Sequence, residues 1–334
     1  MSGKVRKKEK RKRVIILLST LSVLLMTVVL WNIYDRSGSK NISSQTNEST
    51  QTGEIVWNGN SYTYNEHLSN FLFLGIDNRE KEAASVGHAD AGQADALYLL
   101  SWDRVENAIT IISIPRDTMT NIEAFGADGE SLGKTEDHIS ISYSYGEGGH
   151  ESCRLSKEAV SELFYGLPIQ GYCSVNLDSI PVLAEAVGGV TVTVPNNSLE
   201  AVDEVFREGS QVKIDGENAE TFVRYRDITI SQSALERMER QKAFIQAYGE
   251  AVQEKFNENP DFIVDLYDSL EPYMVTNMRS DQFVQIMESL RKGGSYSEWV
   301  LPGEGIEGKS YDEYIVDDKA LYEKIIETFY KEIS

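Results

Sequence analysis

The chain has 334 residues, 32 of them basic and 53 acidic, for a formal net charge of −21. Such an acidic surface repels nucleic acid, so no nucleic-acid partner is expected. Two cysteines and four histidines exclude a disulfide scaffold and complete no zinc pattern.

The chain begins with MSGKVRKKEKRKR, residues 1–13, which hold eight of the basic residues and one acid. Residues 14–31 then carry no charge, and Trp31 and Tyr34 close the run with aromatics suited to a membrane interface. About 18 to 20 apolar residues cross a bilayer as a helix, so residues 14–34 read as one transmembrane helix. The basic flank stays cytoplasmic and the rest faces outward. A cleaved signal peptide is the competing reading, but its apolar run is normally shorter and ends in a small-residue cleavage site. The chain is therefore expected in the cell membrane, single-pass, with its large domain extracytoplasmic. Residues 35–65 are mostly Ser, Thr, Asn and Gln at first and read as a stalk.

A domain is expected over residues 66–256, with a helical extension over 257–334 packed on it. Asn70–Asp77, Ala96–Leu100 and Ala108–Ile114 are short apolar runs that read as buried strands. Asp103–Asn107 reads as the hairpin loop between the last two. Helical spacing appears at 156–164 and 178–187, a strand follows Gly188-Gly189, and a helix follows Asp215-Gly216. The longest helix is expected at about 233–256. Strands interleaved with helices predict a layered α/β domain. An outward location permits a disulfide between Cys153 and Cys173; two buried free thiols are the equal alternative.

Two clusters carry candidate chemistry. Arg224-Tyr225-Arg226-Asp227 precedes Arg237-Met238-Glu239-Arg240-Gln241 in a domain otherwise poor in arginine. In extended geometry Arg224 and Arg226 share a side; on a helix Arg237 and Gln241 share a face. Guanidinium forks match phosphate oxygens bidentately. The bland alternative is ion pairing with Glu220, Asp227, Glu236 and Glu239. The second cluster is Asp77, Asp95 and Arg116-Asp117, all beside predicted strand ends, where ligands of α/β sheets bind. Two carboxylates near an arginine suit a divalent cation on a diphosphate; capping and a local ion pair are the alternative. Gly303–Gly308 matches G-x-G-x-x-G but opens no helix and carries two glutamates, so it reads as a turn-rich loop.

Six segments in order resemble the LytR-CpsA-Psr proteins of the Gram-positive cell envelope. They are Phe73–Asp77, Ala94–Leu97, Ser113–Thr118, Val187–Val192, Val223–Arg226 and Arg237–Gln241. The resemblance implies an α-β-α layered sandwich with a central mixed sheet. It implies a phosphotransferase that moves an anionic glycopolymer, of teichoic acid or capsule type, from a polyprenyl-pyrophosphate carrier to peptidoglycan. It places Mg²⁺, with Mn²⁺ as a substitute, on Asp77 and Asp95. It places the pyrophosphate on Arg116, Arg224, Arg226, Arg237 and Gln241. Asp117 or Asp227 is left as the proton acceptor. The chain departs from the family pattern at Gln93, where an arginine is common, in the long segment between Asp77 and Asp95, and after Asp227. The alternatives are a prenyl-pyrophosphate pyrophosphatase and a non-catalytic lipid-pyrophosphate-binding or regulatory envelope protein.

Overall fold

In the computed structural model the described residues are 54–79, 85–227, 233–259, 261–278, 294–308 and 311–333, with Gln282, Gln285, Ile286 and Ser289. The basic head, the expected span at 14–34, residues 35–53 of the stalk, 80–84 and 228–232 lie outside them. Among the described residues no helix is long and apolar enough to cross a membrane.

β1 (Ile55–Trp57) and β2 (Asn60–Tyr64) form an antiparallel hairpin. Asn58 and Gly59 join them, both at positive φ, as the right-handed twist of a two-residue hairpin requires. The expected stalk ran to residue 65, but these residues are strands: Asn-Gly is a turn signal, and Tyr64 is buried.

β3 (Leu68–Ile76), β4 (Ala94–Asp103) and β5 (Ala108–Ile114) follow as an antiparallel meander. Leu72 pairs with Leu99, and Leu99 with Ile112. The Asp103–Asn107 turn is where the sequence placed it, with Asn107 at positive φ. β6 (Met119–Phe125) and β7 (Ser131–His138) make a hairpin that the sequence did not announce, because β7 is almost wholly exposed and polar. α1 (Ile141–Ser144) and α2 (His150–Leu163) lead to β8 (Gly171–Val175), which pairs parallel with β3. The sheet is therefore mixed.

Residues 177–273 form one of two compact units. It holds α3 (Ser179–Ala186), the antiparallel pair β9 (Val190–Thr193) and β10 (Gln211–Ile214), and α4 (Ala219–Arg224). α5 (Ser233–Glu258) and α6 (Phe262–Leu270) complete it. Arg224 ends a helix instead of lying in a strand, so the expected shared side with Arg226 does not exist. Tyr225 breaks the helix with an extended backbone.

The chain then returns to the other unit. β11 (Met274–Thr276) pairs antiparallel with β8, and β12 (Tyr296–Val300) pairs parallel with β5. The six-stranded order is β11-β8-β3-β4-β5-β12. β13 (Gly303–Glu307) and β14 (Asp312–Val316) form a hairpin, not the loop read from the glycines. Glycine is there for proximity: a Cβ on Gly303 would lie 2.3 Å from the Ile315 carbonyl oxygen. α7 (Asp318–Phe329) is capped by the Asp317 carboxylate, which accepts the Ala320 N–H at 3.0 Å. β15 (Tyr330–Ile333) pairs with β2. The described part of residues 257–334 thus sets β11 to β15 beside α6 and α7, where a helical extension was expected. The apolar Trp299-Val300-Leu301 reads as a short strand in the sequence, and β12 takes Trp299 and Val300 after starting three residues earlier along β5.

The core of this unit sets Leu72, Leu97, Leu99 and Ile112 of the sheet against Val160 of α2 and Phe329 of α7, all at most 1% exposed. Each such side chain contributes about 1.5–3 kcal/mol on burial. Cys153 and Cys173 are buried thiols that form no disulfide.

Candidate active site

Because β4 runs against both β3 and β5, the C-terminal ends of β3 and β5 meet the N-terminal end of β4. Ile76 pairs with Ala94, and Leu97 with Ile114. Asp77 therefore leaves β3 where Asp95 opens β4, and Arg116 follows β5 at the same end.

Local chemistry fixes each of these. The Asp77 N–H donates to the Gln93 carbonyl at 3.0 Å, and the Gln93 N–H donates to Asp77 Oδ1 at 2.5 Å. The approach needs Gly92, whose φ is +85°; a Cβ there would lie 2.7 Å from the Asn78 Cβ and 3.0 Å from Asp77 Oδ1. After β5, Pro115 starts a turn that Thr118 closes. Both its N–H (3.1 Å) and its hydroxyl (2.7 Å) donate to the Pro115 carbonyl. The Arg116 carbonyl accepts from the Ser140 N–H at 3.2 Å, and the Asp117 carbonyl from the Tyr314 N–H at 2.8 Å.

The Arg116 guanidinium has three acceptors. Nη1 pairs with Asp95, Nη2 donates to Gln93 Oε1 at 2.9 Å, and Nε donates to Asp117 Oδ1 at 3.2 Å. The Arg116 and Asp95 side chains are 31% and 30% exposed, so the pair is open to a ligand. Asp77, Asp95, Arg116 and Asp117 thus occupy one end of one sheet. Among the described residues no group of three or more His, Cys, Asp or Glu could hold a metal ion. Two carboxylates at one strand end remain a donor set that magnesium accepts when phosphate oxygens and waters complete its shell.

The other predicted residues lie in residues 177–273. Arg224 Nη1 donates to Glu220 Oε1 at 2.6 Å, the i,i+4 ion pair of the bland reading. Arg226 is exposed and Asp227 half-buried just beyond α4. Arg237 and Gln241 share a face of α5, as their spacing requires. Gln241 Nε2 donates to the Val223 carbonyl at 3.0 Å. Arg240, 1% exposed, donates Nε to the Phe222 carbonyl at 2.9 Å, Nη2 to the Tyr225 carbonyl and Nη1 to the Ser198 hydroxyl. Burial pulls Arg240 down from 12.5 to about 10. Three of the carbonyls left open at the end of α4 are satisfied this way.

Sequence reasoning did not assign roles to Gln93 and Arg240. Gln93 was visible as a polar residue two places before Asp95. Nothing in the sequence marked Arg240 as the buried member of its cluster.

The chain matches the LytR_cpsA_psr family over residues 28–328. A polyisoprenyl-teichoic acid–peptidoglycan teichoic acid transferase TagU from Oceanobacillus iheyensis is 34% identical over 185 residues, 53% of this chain and 49% of that protein. The match therefore spans about half the length of that relative. The TagU of Bacillus anthracis is 25% identical over 302 residues, 89% of each chain. A solved structure of TagT bound to LI-WTA superposes with a TM-score of 0.57 at 21% identity, covering 78% of this chain and 89% of that one. That likeness carries the α/β fold with its mixed central sheet. On the strength of the match over most of its length, this chain belongs to the LytR_cpsA_psr family.

Proposed function

We propose that this chain is a phosphotransferase that attaches an anionic glycopolymer, of teichoic acid or capsular polysaccharide type, to peptidoglycan. The donor is the polymer on a polyprenyl-pyrophosphate carrier. The observation that carries the reading is Arg116, held at the strand ends beside Asp77, Asp95 and Asp117 and open to a ligand. Family membership and the names of the relatives supply the substrate class.

Phosphoryl transfer is largely positioning and charge stabilisation. Arg116 offers a planar donor set to the diphosphate. Asp77 and Asp95 would hold Mg²⁺, or Mn²⁺ in its place, which when bound neutralises diphosphate charge as a Lewis acid. A peptidoglycan hydroxyl oxygen forms the new bond to phosphorus, and polyprenyl phosphate leaves. Asp117, beside Arg116, is the carboxylate placed to take the hydroxyl proton. The resemblance also assigns pyrophosphate contacts to Arg224, Arg226, Arg237 and Gln241, which single substitutions test. A retained span at 14–34 would keep the domain outside the cytoplasm, near the carrier lipid.

The test mixes the full-length chain in detergent with a synthetic polyprenyl-diphosphate oligosaccharide, a peptidoglycan oligomer and Mg²⁺. Covalent product by mass spectrometry supports the transferase. Released phosphate without product supports a pyrophosphatase. Lipid binding with neither outcome sinks the enzyme reading. Asp95→Ala and Arg224→Ala are each expected to abolish the product, and a chelator to stop the wild-type reaction.

A further inference from the structure

We propose that Gln93 is a positioning residue: it holds Arg116 and Asp77 in one frame while leaving the guanidinium charge for an incoming diphosphate. The inference rests on the transferase reading and names a residue that reading does not use.

Gln93 reaches both halves of the site by different atoms. Its backbone N–H donates to Asp77 Oδ1 at 2.5 Å, and its side-chain Oε1 accepts from Arg116 Nη2 at 2.9 Å. Its carbonyl accepts the Asp77 N–H, so Asp77 is bonded to this residue at both backbone and side chain. One residue thus fixes the spacing between a carboxylate and a guanidinium that come from different strands.

The three acceptors of Arg116 are not equivalent. Asp95 and Asp117 are carboxylates and cancel its charge; Gln93 is neutral and orients without cancelling. Should Asp95 turn toward a cation, Arg116 loses its strongest partner. Gln93 then keeps the fork aimed, because an arginine held by a neutral acceptor still carries a full positive charge. Outer partners of this kind typically matter by about 10- to 100-fold when removed.

Two substitutions separate orientation from charge. Gln93→Ala removes Oε1 but keeps the backbone N–H on Asp77. Gln93→Glu keeps an acceptor of the same length but adds a third carboxylate beside Arg116. The experiment measures inorganic pyrophosphate binding by calorimetry at fixed Mg²⁺, and Mn²⁺ binding by electron paramagnetic resonance, on the full-length chain in detergent. Both variants are expected to bind pyrophosphate about tenfold more weakly or worse. Mn²⁺ binding is expected to stay within about twofold in Gln93→Ala and to tighten in Gln93→Glu, by the added charge. Wild-type behaviour of Gln93→Glu beside a weak Gln93→Ala would make Gln93 an ordinary structural acceptor and overturn the proposal. Wild-type binding by both variants would overturn it and leave the transferase standing. No pyrophosphate binding by the wild type would remove the transferase reading and this inference together.

Discussion

The two arginine-bearing regions put the same side chain to different uses. At the sheet end, Arg116 is about a third exposed and meets two carboxylates and an amide oxygen. In residues 177–273, Arg240 is sealed and spends its donors on two backbone carbonyls and a hydroxyl. A buried guanidinium with neutral acceptors is a structural clamp, and its lowered pKa records the desolvation. A half-open guanidinium among carboxylates is poised to exchange partners. Arginine content alone does not locate a phosphate site; the acceptors do.

The largest expected effect tests the sheet end. Arg116→Ala is expected to cut transfer by about 100- to 1,000-fold, as for loss of one donor to transition-state charge. Its melting temperature is expected to stay near that of the wild type, because the side chain is part-exposed. A large drop in melting with little loss of transfer would reverse the comparison. Arg240→Met should do the opposite. Leaving the buried Phe222 carbonyl and the part-buried Tyr225 carbonyl without their donor is expected to cost about 1–3 kcal/mol in denaturant unfolding.

How much of this was legible turns on where the information lay. Phe71–Ile76 and Ile109–Ile114 announced themselves because buried strands need apolar runs, and Asp77, Asp95 and Arg116 could be placed at strand ends from those runs. The geometry of Arg224 and Arg226 was not legible. Whether the chain after Val223 stays helical is decided by Arg240 and Gln241, which satisfy carbonyls 15 to 18 positions earlier. The Gln93 bridge runs half through the main chain, where side-chain identity is silent. Gly303–Glu307 misled because Gly303 serves close strand approach, not a turn, while a Cβ on Gly305 would meet only open space.

A third prediction uses Asp103, which lies in neither region and serves as a control. Burial pulls its pKa up, but the Glu106 N–H, the Asn65 amide and the Val105 N–H outweigh it and hold the carboxyl below its ordinary 3.8. A depressed carboxylate contributes stability that is present above its unfolded value and lost as pH falls through the folded one. Asp103→Asn is therefore expected to cost about 1–2 kcal/mol at neutral pH. The gap from wild type should close only below pH 3.8 in pH-dependent unfolding. A gap that persists unchanged in acid would remove the hydrogen-bond account.

The smallest effect concerns the exposed pair. Glu220→Gln breaks the Arg224 contact, and surface i,i+4 pairs are worth about 0.3–0.5 kcal/mol. Stability should barely change. If Arg224 binds diphosphate, pyrophosphate affinity should hold or improve, since a competing carboxylate is gone. Weaker binding would mean that Glu220 aims Arg224, and would move that arginine toward the behaviour of Arg116.

The pairing of Tyr330 with Tyr64 and of Trp299 with Ile112 has a consequence for biogenesis. β2 and β5 are made early, yet each waits for a strand synthesised much later. Contacts so distant in sequence slow folding, and they leave strand edges open in the meantime. The sheet therefore stays incomplete until the last strands have been made. Quality-control proteases and holding chaperones therefore have a long window in which to act on it.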